Sequence, residues 1–204
     1  MPGTTDKLKI KVIIGSTRPS RFSERPAQYI FEELNKTENV EAELLDLRDY
    51  PFSFFNAPAS PARTGGKYED KIIQDWANKI SDGDAFIMVS PEYNHGYSAV
   101  LKNAIDVLYP EWERKAVGFV SYGSAGGARA IEQLIQVAIE VRLVPVYKSI
   151  HIPIDVYIKA IAEPSKENSE ALGQLRKGMR CDIVDLFFKE LIWMATALKA
   201  AKKV

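Results

Sequence analysis

Residues 84–108, DAFIMVSPEYNHGYSAVLKNAIDVL, constrain the fold more than any other stretch of this chain. They open on a short apolar run, 85–89, of strand-forming residues without polar alternation, the pattern of a strand buried on both faces. The run is expected to stop at Ser90 and Pro91. A polar and aromatic turn follows, made of Glu92, Tyr93, Asn94, His95, Gly96 and Tyr97. Ser98 then reads as a helix N-cap. Beyond it Val100, Leu101, Ala104, Ile105 and Leu108 share one face of a 3.6-residue period. Strand, loop and helix in that order put the loop at the carboxyl end of a buried strand, where open α/β sheets hold ligands.

The unit recurs. Leu8 to Ile14 reads as a first strand, and Gly15, Ser16, Thr17, Arg18, Pro19, Ser20, Arg21, Phe22 and Ser23 follow at once. A helix starts near Glu24, with Pro26 tolerated in its first turn and Ala27, Ile30, Phe31 and Leu34 inward. Free amides and the helix dipole at such a mouth favour an anion. Ser16, Thr17 and Ser23 carry hydroxyls, and Arg18 or Arg21 offers charge-assisted bonds to phosphate. The loop lacks the Gly-Lys-Ser/Thr ending of a Walker loop and the three spaced glycines of a dinucleotide loop. A monophosphate site remains, although the loop alone reads equally as a capped surface turn with solvated arginines. A further strand, 115–121, runs into Tyr122, Gly123, Ser124, Ala125, Gly126 and Gly127. Three closely spaced glycines let backbone approach a flat ligand. The helix after it buries Ile131, Leu134, Ile135 and Ala138.

The remaining elements are a second strand at 40–47, a helix at 68–80, a fifth strand at 143–152, a turn at 165–168 and an amphipathic stretch at 167–202. Residues 48–67 form a long irregular segment with Tyr50, Phe52, Phe54 and Phe55. Such loops serve as lids or partner contacts, or bury their own aromatics. The 204 residues are 46% hydrophobic, enough for one core, and one domain over 1–204 is expected. With 27 basic and 27 acidic residues, no basic stripe points to nucleic acid and no polybasic cluster to a membrane. A single cysteine, Cys181, and an N-terminus without an apolar signal core fit a cytoplasmic protein.

Five strands alternating with helices imply an α/β three-layer sandwich. Its parallel sheet is expected in the flavodoxin-like order 2-1-3-4-5. The loops after strands one, three and four then converge. A ligand with a monophosphate at one end and a flat polar ring at the other fits them, and FMN is such a ligand.

GSTR after strand one, SPEYNHGYSAVLKNAID around strand three and SYGSAGGARA after strand four resemble the NADPH-dependent FMN reductase family, over roughly residues 8–150. The resemblance implies an FMN-dependent oxidoreductase. Hydride passes from NADPH (or NADH) through FMN to quinones, azo compounds, free flavin or similar small acceptors, by a two-electron ping-pong scheme. It implies Ser16, Arg18 and Ser23 at the phosphate. Pro91, Glu92, Tyr93 and Asn94 line the isoalloxazine edge, and Tyr122, Gly123 and Ser124 lie along the ring. No catalytic side chain or metal is implied, so Glu92 reads as structural. A homodimer is also implied, with Lys102, Asn103, Asp106, Trp112 and the 50–66 segment near the interface. Two other readings keep the flavin and change the role: a flavodoxin-type electron carrier, and a redox-regulatory module. Carriers tend to be strongly acidic, and this chain is neutral.

Overall fold

The computed structural model describes residues 7–162 and 181–201. Its parallel sheet has β1 (Leu8–Ile14), β2 (Val40–Asp46), β3 (Ala85–Pro91) and β4 (Ala116–Tyr122) in the order β2-β1-β3-β4. Two short strands, β5 (Val144–Pro145) and β6 (Ile150–Ile152), both pair with β4 at the edge. This is the flavodoxin-like order. The helices are α1 (Glu24–Asn35), α2 (Lys71–Asp82), α3 (Ala99–Asp106), α4 (Ala128–Glu140), α5 (Ile154–Ala162) and α6 (Cys181–Ala201). Among the described residues no helix is long and apolar enough to cross a membrane.

Alternation along each strand splits the core in two. Ile10, Val12, Ile14, Ile87, Val89 and Val120 pack against Ile30 and Leu34 of α1 and Phe187 and Leu191 of α6. Ile13, Phe86, Met88, Val117 and Phe119 pack against Trp76, Ile80, Leu101, Ile105 and Leu134 of α2, α3 and α4. Trp112, expected near a subunit contact, belongs to this second core: it is fully buried, edge-on to Phe86, and donates to the Ile105 carbonyl.

Three expectations need correction. β3 does not stop at Ser90 but runs through Pro91. β1 pairs with it only as far as Val89, so the missing Pro91 N–H leaves no ladder bond unmade on that side. The helix expected at 68–80 starts at Lys71, because the Asp70 carboxylate accepts from the amides of Ile72 and Ile73 as its N-cap. The fifth strand is broken. Between the Val117–Pro145 and Val120–Ile150 pairs, two residues of β4 face four, 146–149. The extra backbone is held by α6, whose Glu190 carboxylate accepts from the amides of Tyr147 and Lys148 at 3.0 Å each. Helix α5 was not anticipated. The turn at 165–168 and the first part of the 167–202 stretch lie outside the described residues.

Gly118 makes room for α6: a Cβ there would meet the Phe187 ring at 2.4 Å. Gly118→Ala is expected to lower the unfolding free energy in urea by about 1–3 kcal/mol through overpacking.

On β1, Lys11 occupies a position that points into the second core. Its ammonium reaches Glu43 at 2.6 Å and Asp82 at 2.7 Å, and Lys9 holds the other Asp82 oxygen. Hydrogen bonds from Lys11 and then Lys9 pull the Asp82 carboxyl down to about 2. A carboxyl lowered by folding stabilises above its unfolded value, about 4, and that contribution is lost as pH falls through the folded one. Wild type should therefore lose thermal stability between about pH 4 and pH 2, and Asp82→Asn should flatten that part of the curve.

Candidate functional site

The loop after β1 is braced from outside. Arg21 is buried, with a side chain 2% exposed, and grips both Asp46 oxygens at 2.5 Å. It also donates to the Ser16 carbonyl at 3.0 Å. Arg48 donates to the carbonyls of Thr17, Arg18 and Pro19. Burial pushes the Asp46 carboxyl up, but the Arg21 hydrogen bonds and the Arg48 amide outweigh it and hold it below the usual range. Asp46 is thus a brace for this loop. Within a planar peptide the C=O and the next N–H point in opposite directions. With the carbonyls of Ser16, Thr17 and Pro19 drawn to arginines, the amides of Thr17, Arg18 and Ser20 face away from them. Among the described residues these amides have no protein acceptor. Beside the α1 N-terminus they form a ready anion cradle. Of the two arginines proposed from sequence, Arg21 is engaged in the fold and Arg18 stands exposed at the loop's open side.

The loop after β3 meets this one. Arg18 lies over the Tyr93 ring at 5.5 Å, and Ser16 Oγ is 3.4 Å from the Tyr93 hydroxyl. Ser98 caps α3 by accepting from the Leu101 amide, and its hydroxyl donates to the Gly15 carbonyl. Tyr93 and Gly96 exchange backbone bonds across a tight turn. Asn94 and His95 both have positive φ there, at 50° and 69°, a conformation in which both residue types are enriched. His95 offers its carbonyl to Gln133 of α4.

The loop after β4 closes the group. The Tyr122 hydroxyl shares a 2.8 Å bond with Ser23 Oγ. Burial pushes that hydroxyl well above the usual tyrosine range, so it acts as a neutral hydrogen-bonding group. Glu92 does not point to an open site. Its side chain is 3% exposed, accepts from Arg129 Nε at 2.9 Å and Nη2 at 2.5 Å, and also takes the Arg129 amide at the α4 N-terminus. Burial raises its carboxyl, yet Arg129 wins and keeps it ionised below the usual range. Gly127 is obligatory: its φ is +76°, and a Cβ would sit 2.0 Å from Ser121 Oγ. Gly123 and the exposed Ser124 continue the loop at the surface. Pro91 is buried at the strand end and Asn94 is exposed on the turn.

A cavity of about 720 Å3 opens between these loops, with Arg18, Ser20, Tyr93, Tyr122, Tyr157 and Ile158 on its walls. Three of the ten residues proposed from sequence (Arg18, Tyr93 and Tyr122) line it, and Ser16 and Ser23 stand behind the two tyrosines. A smaller cavity of about 420 Å3, between Thr17, Arg48, Phe54 and Val100, lies against the same first loop. It holds none of the strand-three or strand-four loop residues. Sequence reasoning missed Ser20 and the whole α5 wall. The signal was present in Ile154, Tyr157, Ile158 and Ile161, spaced i, i+3, i+4, i+7.

The cradle, the tyrosines and the cavity fit a flavin monophosphate, and comparison with known proteins agrees. The model of the NADPH-dependent FMN reductase family matches residues 8–155. This chain belongs to that family. The reductase is 36% identical over 171 residues to an NAD(P)H-dependent FMN reductase of Schizosaccharomyces pombe, covering 83% of this chain and 86% of the relative. It is 31% identical to an FMN-dependent NADPH-azoreductase of Staphylococcus aureus, covering 66% and 70%. The fold matches the flavoenzyme NAD(P)H:(acceptor) oxidoreductase FerB of Paracoccus denitrificans at a TM-score of 0.59 and 19% identity, over 90% of this chain and 98% of the other. The reductase is accordingly an oxidoreductase that works with FMN and NAD(P)H.

The geometry makes Glu92 a structural anion of this reductase. Glu92→Gln is expected to cost about 1–3 kcal/mol of unfolding free energy, because Arg129 and its amide lose a charge-assisted partner. Loss of turnover with full stability would instead make Glu92 a proton donor.

Proposed function

We propose that this reductase moves two electrons from NAD(P)H, through tightly held FMN, to small flat acceptors such as quinones, azo compounds or free flavin, in a ping-pong scheme. The observation that carries the reading is the meeting of the loops after β1, β3 and β4 at one cavity, where Arg18 and Ser20 stand on the wall together with Tyr93, over which Arg18 is stacked, and Tyr122. Bound FMN supplies the redox chemistry, accepting hydride and returning electrons to the acceptor.

The protein's part is positioning. The amides of Thr17, Arg18 and Ser20 and the Arg18 guanidinium hold the phosphate. Ser16 and Ser23 act by fixing the hydroxyls of Tyr93 and Tyr122, from which they are 3.4 Å and 2.8 Å away. Residues 91–94 present backbone to the isoalloxazine edge. Glu92, locked to Arg129, keeps that backbone in register with α4. Tyr122, Gly123 and Ser124 run along the ring. No side chain here needs to abstract a proton, which agrees with Glu92 being held ionised by an arginine.

The active unit in this reading is a homodimer. The Asn103 side chain pins the irregular segment to α3, accepting from the Phe55 amide at 2.8 Å and donating to the Ser53 carbonyl at 2.9 Å. Phe54 is left 74% exposed beside that helix, an apolar surface suited to a second copy.

The test is anaerobic addition of NADPH to the FMN-loaded protein. Rapid bleaching of the bound flavin, with parallel initial-rate lines against acceptor, is the expected result. Flavin that stays oxidised with NADPH and NADH would move the protein to the carrier or regulatory role. Arg18→Ala should weaken FMN affinity by about tenfold or more, read by equilibrium dialysis.

A further inference from the structure

Helix α5 lies almost wholly beyond the stretch that the family model matches, which ends at residue 155. It nevertheless supplies one wall of the cavity through Tyr157, Ile158 and Ile161. We propose that α5 completes the FMN site and sets how long the cofactor stays bound between turnovers. This rests on the reading that FMN occupies the cavity beside Arg18.

The first observation is how α5 is attached. Ala160 is its only buried residue. Val156 packs partly buried against the first core, and the other anchors are residues of the cavity wall. Tyr157 packs edge-on against Phe22 at 5.1 Å and tilts over Tyr122 at 5.3 Å. Arg25, in the first turn of α1, donates to the Ala160 carbonyl. Beyond Ala160 and Val156, the groups that hold α5 in place are therefore groups on the cavity wall. An element with so little buried surface belongs to the low-stability end of a fold and opens locally.

The second observation is what α5 exposes. Ile154, Ile158 and Ile161 are 38%, 53% and 47% exposed. They form an i, i+4, i+7 apolar stripe, and two of the three border the cavity. Apolar side chains gathered on a cavity rim gain most when something covers them. The same cavity is lined by Arg18 and Ser20, so the occupant joins an anionic group to an apolar body. FMN has both. Ligand contact would replace solvent on Ile158 and Ile161 and hold Tyr157 against Tyr122. Occupancy and closure of α5 then reinforce each other.

The test compares the FMN-loaded wild type with an Ile158→Ser/Ile161→Ser variant. FMN release is followed by the fluorescence of free flavin after dilution. Both side chains are half exposed, so circular dichroism should show an unchanged fold. Release at least about tenfold faster is expected, and an unchanged rate overturns the proposal. Faster acceptor turnover with unchanged release would make α5 an acceptor wall and also overturns it. Hydrogen exchange on wild type provides a second arm that needs no variant. The α5 amides should slow when FMN binds, and equal exchange with and without FMN refutes the coupling. Arg18→Ala separates the two readings. If it weakens FMN binding while the α5 variant does nothing, the site stands and the role of α5 falls. If it leaves FMN binding intact, the site reading falls and takes the α5 role with it.

Discussion

A buried guanidinium organises the functional edge of this molecule. Arg21 joins the end of β2 to the loop after β1, through Asp46 on one side and the Ser16 carbonyl on the other. A buried arginine is costly unless it is paired and hydrogen-bonded, and this one is both. Its effect on the loop is directional. Arg48 continues the work along Thr17, Arg18 and Pro19, so the carbonyls of one short segment are taken up by two cations. Planar peptides then turn amides the other way. The amides that this loop leaves without a protein acceptor are thus a consequence of where its carbonyls are held.

A second ion pair does the same for the other half of the site. Glu92 sits at the α4 N-terminus and binds Arg129 through backbone and side chain together. A carboxylate at a helix N-terminus is favoured by the dipole as well as by the hydrogen bonds. It fastens the loop after β3 to the helix after β4. Between the two ion pairs run softer links: Ser16 with Tyr93, Ser23 with Tyr122, and Arg18 over Tyr93. The ion pairs thus brace the two loops from outside, and aromatic rings line the cavity between them.

Away from that edge the structure follows ordinary economy of packing. Gly118 yields space to Phe187, and Glu190 absorbs the backbone of a broken edge strand. Both contacts come from α6, which covers β4 and interrupts the strand beside it. An interrupted edge strand with Pro145 offers a poor template for pairing with other chains.

The sequence by itself determined the layers and the order of the sheet. Apolar runs such as 85–89, each followed by a loop and an amphipathic helix, leave few right-handed arrangements. The same patterns placed the three loops at one edge, and their motifs identified the family. Local sequence also specified the Ser98 cap, which acts on its own helix. Only the tertiary structure decided which charged residues are locked in ion pairs and which stand at the open side of the loop. Arg18 and Arg21 are chemically alike and three positions apart, yet Asp46, from another strand, claims Arg21. Glu92 reads as structural in the sequence, but its partner, Arg129 of α4, is supplied only by the fold. Trp112 could face a partner or the core until Phe86 and Ile105 surround it. The break in the fifth strand depends on Glu190, some forty residues away. Periodicity is a local property that a strand or helix carries with it. The partner of a charge, and the space left for a side chain, are set by segments distant in the chain.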